Sequence, residues 1–124
     1  MLVDDNQINQ LVAQGILEDL GLLVEVAMDG KEAIDALRSG LDSQPFDLVF
    51  MDCRMPVMDG YEASGLIREG KAGESNSAIP IIAMTANTMK GDREKCIAAG
   101  MDDYLGKPIE PDEIEEKLKI WLNK

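Results

Sequence analysis

Residues 48–60 read Leu-Val-Phe-Met-Asp-Cys-Arg-Met-Pro-Val-Met-Asp-Gly, an apolar run that stops at Asp52 and gives way to a loop. Four apolar residues followed by polar and turn-forming ones are typical of a strand buried in a parallel sheet. Asp52 then stands at the carboxyl end of that strand, where open α/β folds place their ligand sites. The segment therefore predicts a fold class and the position of a site.

Two more apolar runs end in charged residues. Met1–Val3 is followed by Asp4 and Asp5, and Tyr104–Gly106 is followed by Lys107. Together with Asp52, three strand ends thus deliver three carboxylates and one ammonium group. Such a set suggests a site for a divalent cation and a phosphoryl group.

The rest of the chain alternates between strand-like and helical patterns. Five apolar runs suit buried parallel strands: Met1–Val3, Leu23–Met28, Leu48–Met51, Ile79–Met84 and Tyr104–Leu105. Helical spacing lies between and after them, and in the first helix it marks one apolar face: Ile8, Leu11, Val12, Gly15, Ile16 and Leu20. Alternation of this kind predicts a doubly wound, five-stranded parallel α/β sheet with right-handed crossovers and five flanking helices.

A flavodoxin-like strand order of 2-1-3-4-5 places strands 1 and 3 side by side at the switch point. This order would bring Asp4, Asp5 and Asp52 together. Three neighbouring carboxylates repel one another unless a cation neutralises them. A metal requirement, with Mg²⁺ as the candidate, follows from the predicted order.

Local signals predict where several helices begin and end. Pro111, followed by Asp112 and Glu113, predicts the start of the last helix. Asp102 and Asp103 are predicted to lie in a turn. Four glycines are placed to end helices in the left-handed conformation: Gly21, Gly40, Gly70 and Gly100.

Composition bounds the functional classes. The 124 residues suit one domain, and the net charge of −12 argues against direct nucleic-acid binding. No apolar stretch approaches the roughly 18 residues of a membrane span, and two distant cysteines fit a reducing cytoplasm. The chain contains no histidine, which excludes a Ser-His-Asp triad. Any phosphohistidine must therefore come from another domain.

These motifs resemble the receiver domain of two-component response regulators, and most closely the receivers of hybrid sensor histidine kinases. The resemblance extends over nearly the whole chain, and the stretches that carry it are 2–6, 51–60, 82–86 and 100–108. The resemblance implies a phosphorelay signalling domain whose partner is a histidine kinase or a histidine phosphotransfer domain. It also implies a cytoplasmic location, which includes the cytosolic part of a membrane-bound hybrid kinase.

The resemblance implies a role for each matching residue. Asp52 would be the phosphoacceptor. Asp5, Asp52 and the backbone carbonyl of Arg54 would ligate Mg²⁺ directly, and Asp4 would act through water. Lys107 and Thr85 would contact the phosphoryl oxygens. Tyr104 would switch inward once Thr85 is recruited and would alter the surface formed by helix 4, strand 5 and helix 5, which could also mediate a dimer. Hydrolysis of the aspartyl phosphate would reset the domain.

Only three residues precede Asp4, which is short for a first strand. We therefore expect residues 1–124 to be a receiver domain cut from a longer protein.

Other interpretations of the same residues remain open. Thr85 can simply cap a helix, and Tyr104 can simply pack in the core. A haloacid-dehalogenase-type phosphatase also forms an aspartyl phosphate, but it needs an acid where this chain has Arg54. A flavodoxin-like electron carrier needs a phosphate loop after strand 1, where Asp4 and Asp5 would repel a phosphate. A degenerate receiver would lack part of the charged set.

Overall fold

The computed structural model describes residues 1–22, 24–40, 46–52, 58–85, 90–106 and 110–122. The strands are β1 Leu2–Val3, β2 Val26–Ala27, β3 Val49–Asp52, β4 Ile81–Thr85 and β5 Asp103–Gly106. The α-helices are α1 Gln7–Asp19, α2 Gly30–Gly40, α3 Gly60–Arg68, α4 Lys90–Ala98 and α5 Pro111–Leu122, and a 3₁₀ turn spans Glu74–Asn76. The five strands form one parallel sheet in the order β2-β1-β3-β4-β5, which confirms the predicted fold class.

Register aligns the carboxyl ends of the two central strands. Val3 of β1 pairs with Met51 of β3, so Asp4 and Asp52 are the next residues along neighbouring strands. Although β1 has only two residues, Met1 continues its ladder: the amino group of Met1 donates to Leu48 O over 2.8 Å. Phe50 N donates back to Met1 O over 2.8 Å.

Helices cover both faces of the sheet. On one face, α2, α3 and α4 pack Leu37, Ile67 and Cys96 against the strands. On the other face, α1 and α5 contribute Leu17 and Ile114. The three central strands β1, β3 and β4 are therefore buried along their whole length, as parallel strands usually are.

The packed face of α1 differs from the predicted one. Ala13 and Leu17 are its buried residues. Four residues of the predicted apolar face are exposed instead: Ile8, Leu11, Val12 and Leu20. Apolar residues occur on two sides of this helix, and periodicity alone does not identify the side that meets the sheet.

Three of the four predicted helix-ending glycines have the expected conformation. Gly21, Gly70 and Gly100 have φ values of 86°, 88° and 104°. Gly40 also lies at the predicted carboxyl end of a helix, because it is the last residue of α2. Pro111 begins α5 as predicted.

Arg68 ties together several segments at the amino-terminal edge of the sheet. Its guanidinium donates to the carbonyls of Gly100, Ser77 and Ile79 at 2.7 to 3.0 Å. It also pairs with Asp102 over 2.7 Å. The Asp102 carboxylate accepts a further hydrogen bond from Ile81 N at the start of β4. Asp102 thus connects the Arg68 side chain of α3 to the main chain of β4.

Asp103 is the first residue of β5 and joins that strand to α5, so the predicted turn was wrong at this position. Its carboxylate accepts hydrogen bonds from Lys117 Nζ at 3.0 Å and from Trp121 Nε1 at 3.1 Å. Burial is the largest single effect and would raise the pKa of Asp103, but these two bonds, the backbone N–H of Tyr104 and the charge of Lys117 together outweigh it and lower the pKa below its ordinary value. The ionised form of Asp103 therefore holds α5 on the edge of the sheet.

None of the helices in the described part of the chain has the length and apolarity that crossing a membrane requires.

Candidate functional site

Three carboxylates meet at the carboxyl ends of β1 and β3. One oxygen each of Asp4, Asp5 and Asp52 can be chosen so that all three lie within 4.8 Å of one another. Asp4 and Asp52 are buried, with 1% and 5% of their surface exposed, whereas Asp5 faces solvent. The strand order predicted from the sequence thus brings together the acids that it was expected to bring together.

The turn between β1 and α1 holds Asp4 in place. Its Oδ1 accepts a hydrogen bond from Asn6 N over 2.9 Å, and its backbone N–H donates to Ala27 O over 3.1 Å. Asn6 in turn caps α1 by accepting from Ile8 N and Asn9 N at 2.9 and 3.2 Å. The second carboxylate oxygen of Asp4, Oδ2, is buried away from bulk water.

This arrangement fits a hard divalent cation. Two ionised carboxylates at such separations repel by a few kcal/mol at an effective dielectric constant of about 20. Carboxylate oxygens are the ligands that Mg²⁺ uses, and the exposure of Asp5 leaves one side open for the waters that this ion retains. The donor set therefore suits Mg²⁺ on its chemistry and on its geometry.

Thr85 lies at the end of β4, beside the strand that carries Asp52. Asp52 pairs with Met84, so Thr85 is one residue further along the neighbouring strand. Its side chain is buried, with 7% exposed. A hydroxyl group is thus present at the same edge of the sheet as the three acids.

Tyr104 shares a face of the sheet with Thr85. Tyr104 pairs with Ala83 of β4, and Thr85 follows Ala83 by two residues, which places both side chains on the same side of the pleat. Tyr104 is half-buried against the cluster that α2, α3 and α4 cover. Both the core interpretation and the switch interpretation of Tyr104 agree with this position.

Two predicted site residues, Lys107 and Arg54, lie outside the described residues. Gly106 directly precedes Lys107 and pairs with Thr85.

Sequence reasoning missed Gly60, although it adjoins the site. Its Cα lies so close to β3 that an added Cβ would be 2.2 Å from Asp52 O. Glycine at the first position of a helix, where a Ser, Asp or better helix former is common, was the signal that could have indicated this approach.

Comparison with known proteins agrees with the fold. The family described as response regulator receiver domain matches residues 1–119. The receiver domain of a sensor histidine kinase from Pseudomonas aeruginosa, solved with a magnesium ion in its active-site cleft, is 43% identical with a TM-score of 0.84. That similarity covers 99% of this chain and 95% of the solved one.

A second solved relative is a Saccharomyces cerevisiae receiver domain crystallised with a histidine phosphotransfer signalling protein. It is 30% identical with a TM-score of 0.83, over 97% of this chain and 85% of that one.

Among curated sequences, a probable histidine kinase 2 of Oryza sativa is 42% identical over 130 residues, and hybrid signal transduction histidine kinase B of Dictyostelium discoideum is 38% identical over 132. The matches cover 95% and 99% of this chain but only 12% and 6% of those proteins. A family match over almost the full chain, the 2-1-3-4-5 parallel sheet and the acids at its switch point lead to one conclusion: the chain belongs to the response regulator receiver domain family.

Proposed function

We propose that the chain is the phosphoacceptor of a phosphorelay and that Asp52 takes a phosphoryl group from a phosphohistidine on a partner protein. The observation that carries this proposal is the convergence of Asp4, Asp5 and Asp52 within 4.8 Å, with two of the three buried. A buried carboxylate in a cluster of acids is a poor structural element, but it suits a nucleophile beside a cation site.

The transfer requires little covalent chemistry from the protein. A carboxylate oxygen of Asp52 attacks the phosphorus in line with the P–N bond, that bond breaks, and its electron pair returns to the imidazole nitrogen. Asp4, Asp5, Asp52 and the Arg54 carbonyl would hold Mg²⁺, which neutralises charge on the phosphoryl oxygens. Lys107 and the Thr85 hydroxyl would bind other phosphoryl oxygens. Attack of water on the phosphorus later releases phosphate and restores Asp52.

The donor has to be a second protein or domain, because the chain contains no histidine. A histidine kinase or a histidine phosphotransfer domain supplies the required group, and one related receiver was crystallised with a phosphotransfer protein. Exposed apolar residues on α1, among them Ile8 and Leu11, begin three residues after Asp5. An apolar surface beside the acids is suited to contact with a protein.

The binding chemistry of the site favours this function over the alternatives on the same fold. Asp4 and Asp5 after β1 would repel the phosphate of a flavin. Arg54 stands where a dehalogenase-type phosphatase needs its second acid. The full set of Asp4, Asp5, Asp52 and Thr85 also argues against a receiver that serves only for protein contacts.

Phosphorylation by a small-molecule donor tests the proposal. With phosphoramidate and Mg²⁺, the wild-type chain should gain the mass of one phosphoryl group, and omission of Mg²⁺ should slow the gain strongly. Asp52→Asn should abolish it because the nucleophilic oxygen is replaced by an amide. Intact mass spectrometry under mild acid, which preserves acyl phosphates, provides the measurement.

Asp35→Asn is the matched control, since Asp35 is an exposed acid on α2. This variant should be phosphorylated like the wild type. Stoichiometric phosphorylation of Asp52→Asn would place the acceptor elsewhere and contradict the proposal.

A further inference from the structure

Gly60, the first residue of α3, lies against the main chain of the proposed acceptor. A Cβ atom added at Gly60 would lie 2.2 Å from Asp52 O, 3.0 Å from Asp52 C and 3.0 Å from Met51 Cγ. Two of these three atoms belong to the backbone of β3, which cannot rotate aside as a flexible side chain can. Any side chain at position 60 therefore has to displace either Asp52 or the start of α3.

The conformation of Gly60 gives no other reason for glycine at this position. Gly60 lacks the positive φ found at Gly21 and Gly100. Glycine is also among the poorest helix formers, so alanine would favour α3 locally. The close approach to Asp52 is the physical feature that requires a residue without a Cβ.

The start of α3 is held from its other side as well. Gly30 N, at the beginning of α2, donates to Met58 O over 3.1 Å. A Cβ at Gly30 would lie 2.9 Å from Met58 O and 2.8 Å from the Cβ of Ala63. The first turn of α3 is thus enclosed between α2 and the end of β3 and has little room to move away from Asp52.

We propose that Gly60 is a positioning residue: its missing side chain sets how far Asp52 projects toward Asp4 and Asp5. The carboxylate of Asp52 follows its main chain, and that main chain rests on Gly60. A shift of the Asp52 backbone would separate the three carboxylates that hold the cation and would misalign the nucleophile. The consequence for phosphoryl transfer rests on the function proposed above, whereas the consequence for cation binding does not depend on transfer.

Three glycine-to-alanine variants separate positioning from general destabilisation. Gly60→Ala crowds Asp52 directly. Gly30→Ala crowds the same start of α3 through Met58 and Ala63 without touching Asp52. Gly65→Ala lies in the middle of α3, where an added Cβ meets nothing within 4 Å.

Two readouts are compared for each variant and for the wild type. The first is the rise of the thermal midpoint on adding Mg²⁺ at matched ionic strength, which needs no catalytic activity. The second is the rate of phosphorylation by phosphoramidate, followed by mass spectrometry.

Gly60→Ala should lose most of the Mg²⁺-dependent rise and should be phosphorylated about a hundredfold more slowly, the effect expected from a misplacement near 1 Å. Gly30→Ala should have a lower midpoint but keep the Mg²⁺-dependent rise. Gly65→Ala should keep both the rise and the rate. If Gly60→Ala is unfolded at room temperature, the comparison is made for all variants in trimethylamine N-oxide, which favours the compact state.

Several results would overturn the inference. If Gly60→Ala had the same Mg²⁺-dependent rise of the thermal midpoint and the same phosphorylation rate as Gly65→Ala, the position of Asp52 would not depend on this contact. Equal losses in Gly30→Ala and Gly60→Ala would indicate general loosening, as would failure of Gly60→Ala to fold even with the osmolyte. If the wild type binds Mg²⁺ but is not phosphorylated, the proposed function is refuted. The Mg²⁺-dependent rise of the thermal midpoint, compared among the variants, still decides the role of Gly60 in that case. A wild type that shows neither response would contradict both.

Discussion

The amino group of Met1 is a charged group in a buried position. It donates to Leu48 O within the sheet, and the Met1 residue is only 9% exposed. Desolvation lowers the pKa of this ammonium from 8.0 to about 6, against the smaller opposing attraction of Glu25 and Asp47. Folding therefore disfavours the protonated form of this amino group.

We expect the free energy of unfolding to rise with pH between about 6 and 8. In that window the unfolded chain binds more protons than the folded one, so the stability is fully present above pH 8 and is lost as the pH falls toward 6. A shift of two units corresponds to about 3 kcal/mol. Urea unfolding at a series of pH values measures the slope, and the chain has no histidine to titrate in this window.

An Nα-acetylated chain is the matched control for this prediction. The acetylated amide can still donate a hydrogen bond to Leu48 O, but it does not titrate between pH 6 and 8. The free energy of unfolding of the acetylated chain should therefore be nearly constant over the same pH values. A slope that persists after acetylation would assign the effect to another group.

Single residues also mark the limit of what the sequence could predict about the site. Asp4, Asp5 and Asp52 could be placed together because each follows an apolar run, and the ends of parallel strands share one edge. The role of Gly60 could not be predicted, because the distance between α3 and the Asp52 carbonyl depends on how α2 packs behind them. The close approach of two backbone segments does not alter the hydrophobic periodicity of the sequence.

At the scale of elements, the pairing of β4 with β5 places Tyr104 next to the strand that ends at the site. Thr85 ends β4 beside the acids, and Tyr104 of the neighbouring strand lies on the same face of the sheet. If the phosphoryl group recruits the Thr85 hydroxyl, the end of β4 moves toward the site and Tyr104 gains space to turn inward. Such a shift requires that the Thr85 bond exist chiefly in the phosphorylated state.

Thr85→Ala should accept a phosphoryl group at Asp52 and yet lose most of the structural response in β5 and α4. One charge-assisted hydrogen bond of about 1.5–3 kcal/mol corresponds to roughly a ten- to hundredfold change in the equilibrium between the two states. Amide chemical shifts of the wild type and of the variant, with Mg²⁺ and with or without beryllofluoride as a phosphoryl mimic, provide the measurement. A full wild-type response around Tyr104 in the variant would leave Thr85 with the role of a helix cap.

Helix α1 shows why elements are easier to predict than their orientation. The start of α1 follows from Asn6, whose side chain caps the helix, and its end follows from Gly21. The buried face of α1 could not be predicted in the same way, because apolar residues lie on two sides of the helix. The side with Ala13 and Leu17 packs against the sheet. Which side is buried depends on the tertiary fit of small and large residues.

For the whole molecule, the parallel doubly wound sheet was predictable from the alternation of strands and helices, and its order from the flavodoxin-like pattern that this alternation fits. Exact boundaries were less predictable. Of the predicted strand Leu23–Met28, in which Leu23 lies outside the described residues, β2 comprises Val26–Ala27, whereas β4 extends to Thr85. A strand ends where the neighbouring strand no longer provides backbone hydrogen-bond partners, and the sequence of one strand does not contain that information.

The cluster of acids links cation binding to the stability of the entire domain, since its members come from β1 and β3 and meet only in the folded chain. Mg²⁺ should therefore raise the free energy of unfolding, by about 2.7 kcal/mol at a hundredfold excess over Kd. Asp5→Asn should weaken this gain, whereas Asp35→Asn should preserve it. Equal thermal midpoints with Mg²⁺ and with a chelator, at matched ionic strength, would contradict a cation site at these residues.

The bond between Trp121 and Asp103 gives the domain an optical probe of its own. The chain has one tryptophan, so its ultraviolet-excited emission comes from a single indole. That indole is half-buried on α5 and donates to a carboxylate on β5, the residue directly before Tyr104. Rearrangement of β5 against α5 would change the polarity around the ring and with it the colour and intensity of the emission. Stopped-flow recording could then follow this rearrangement in real time on the unlabelled chain.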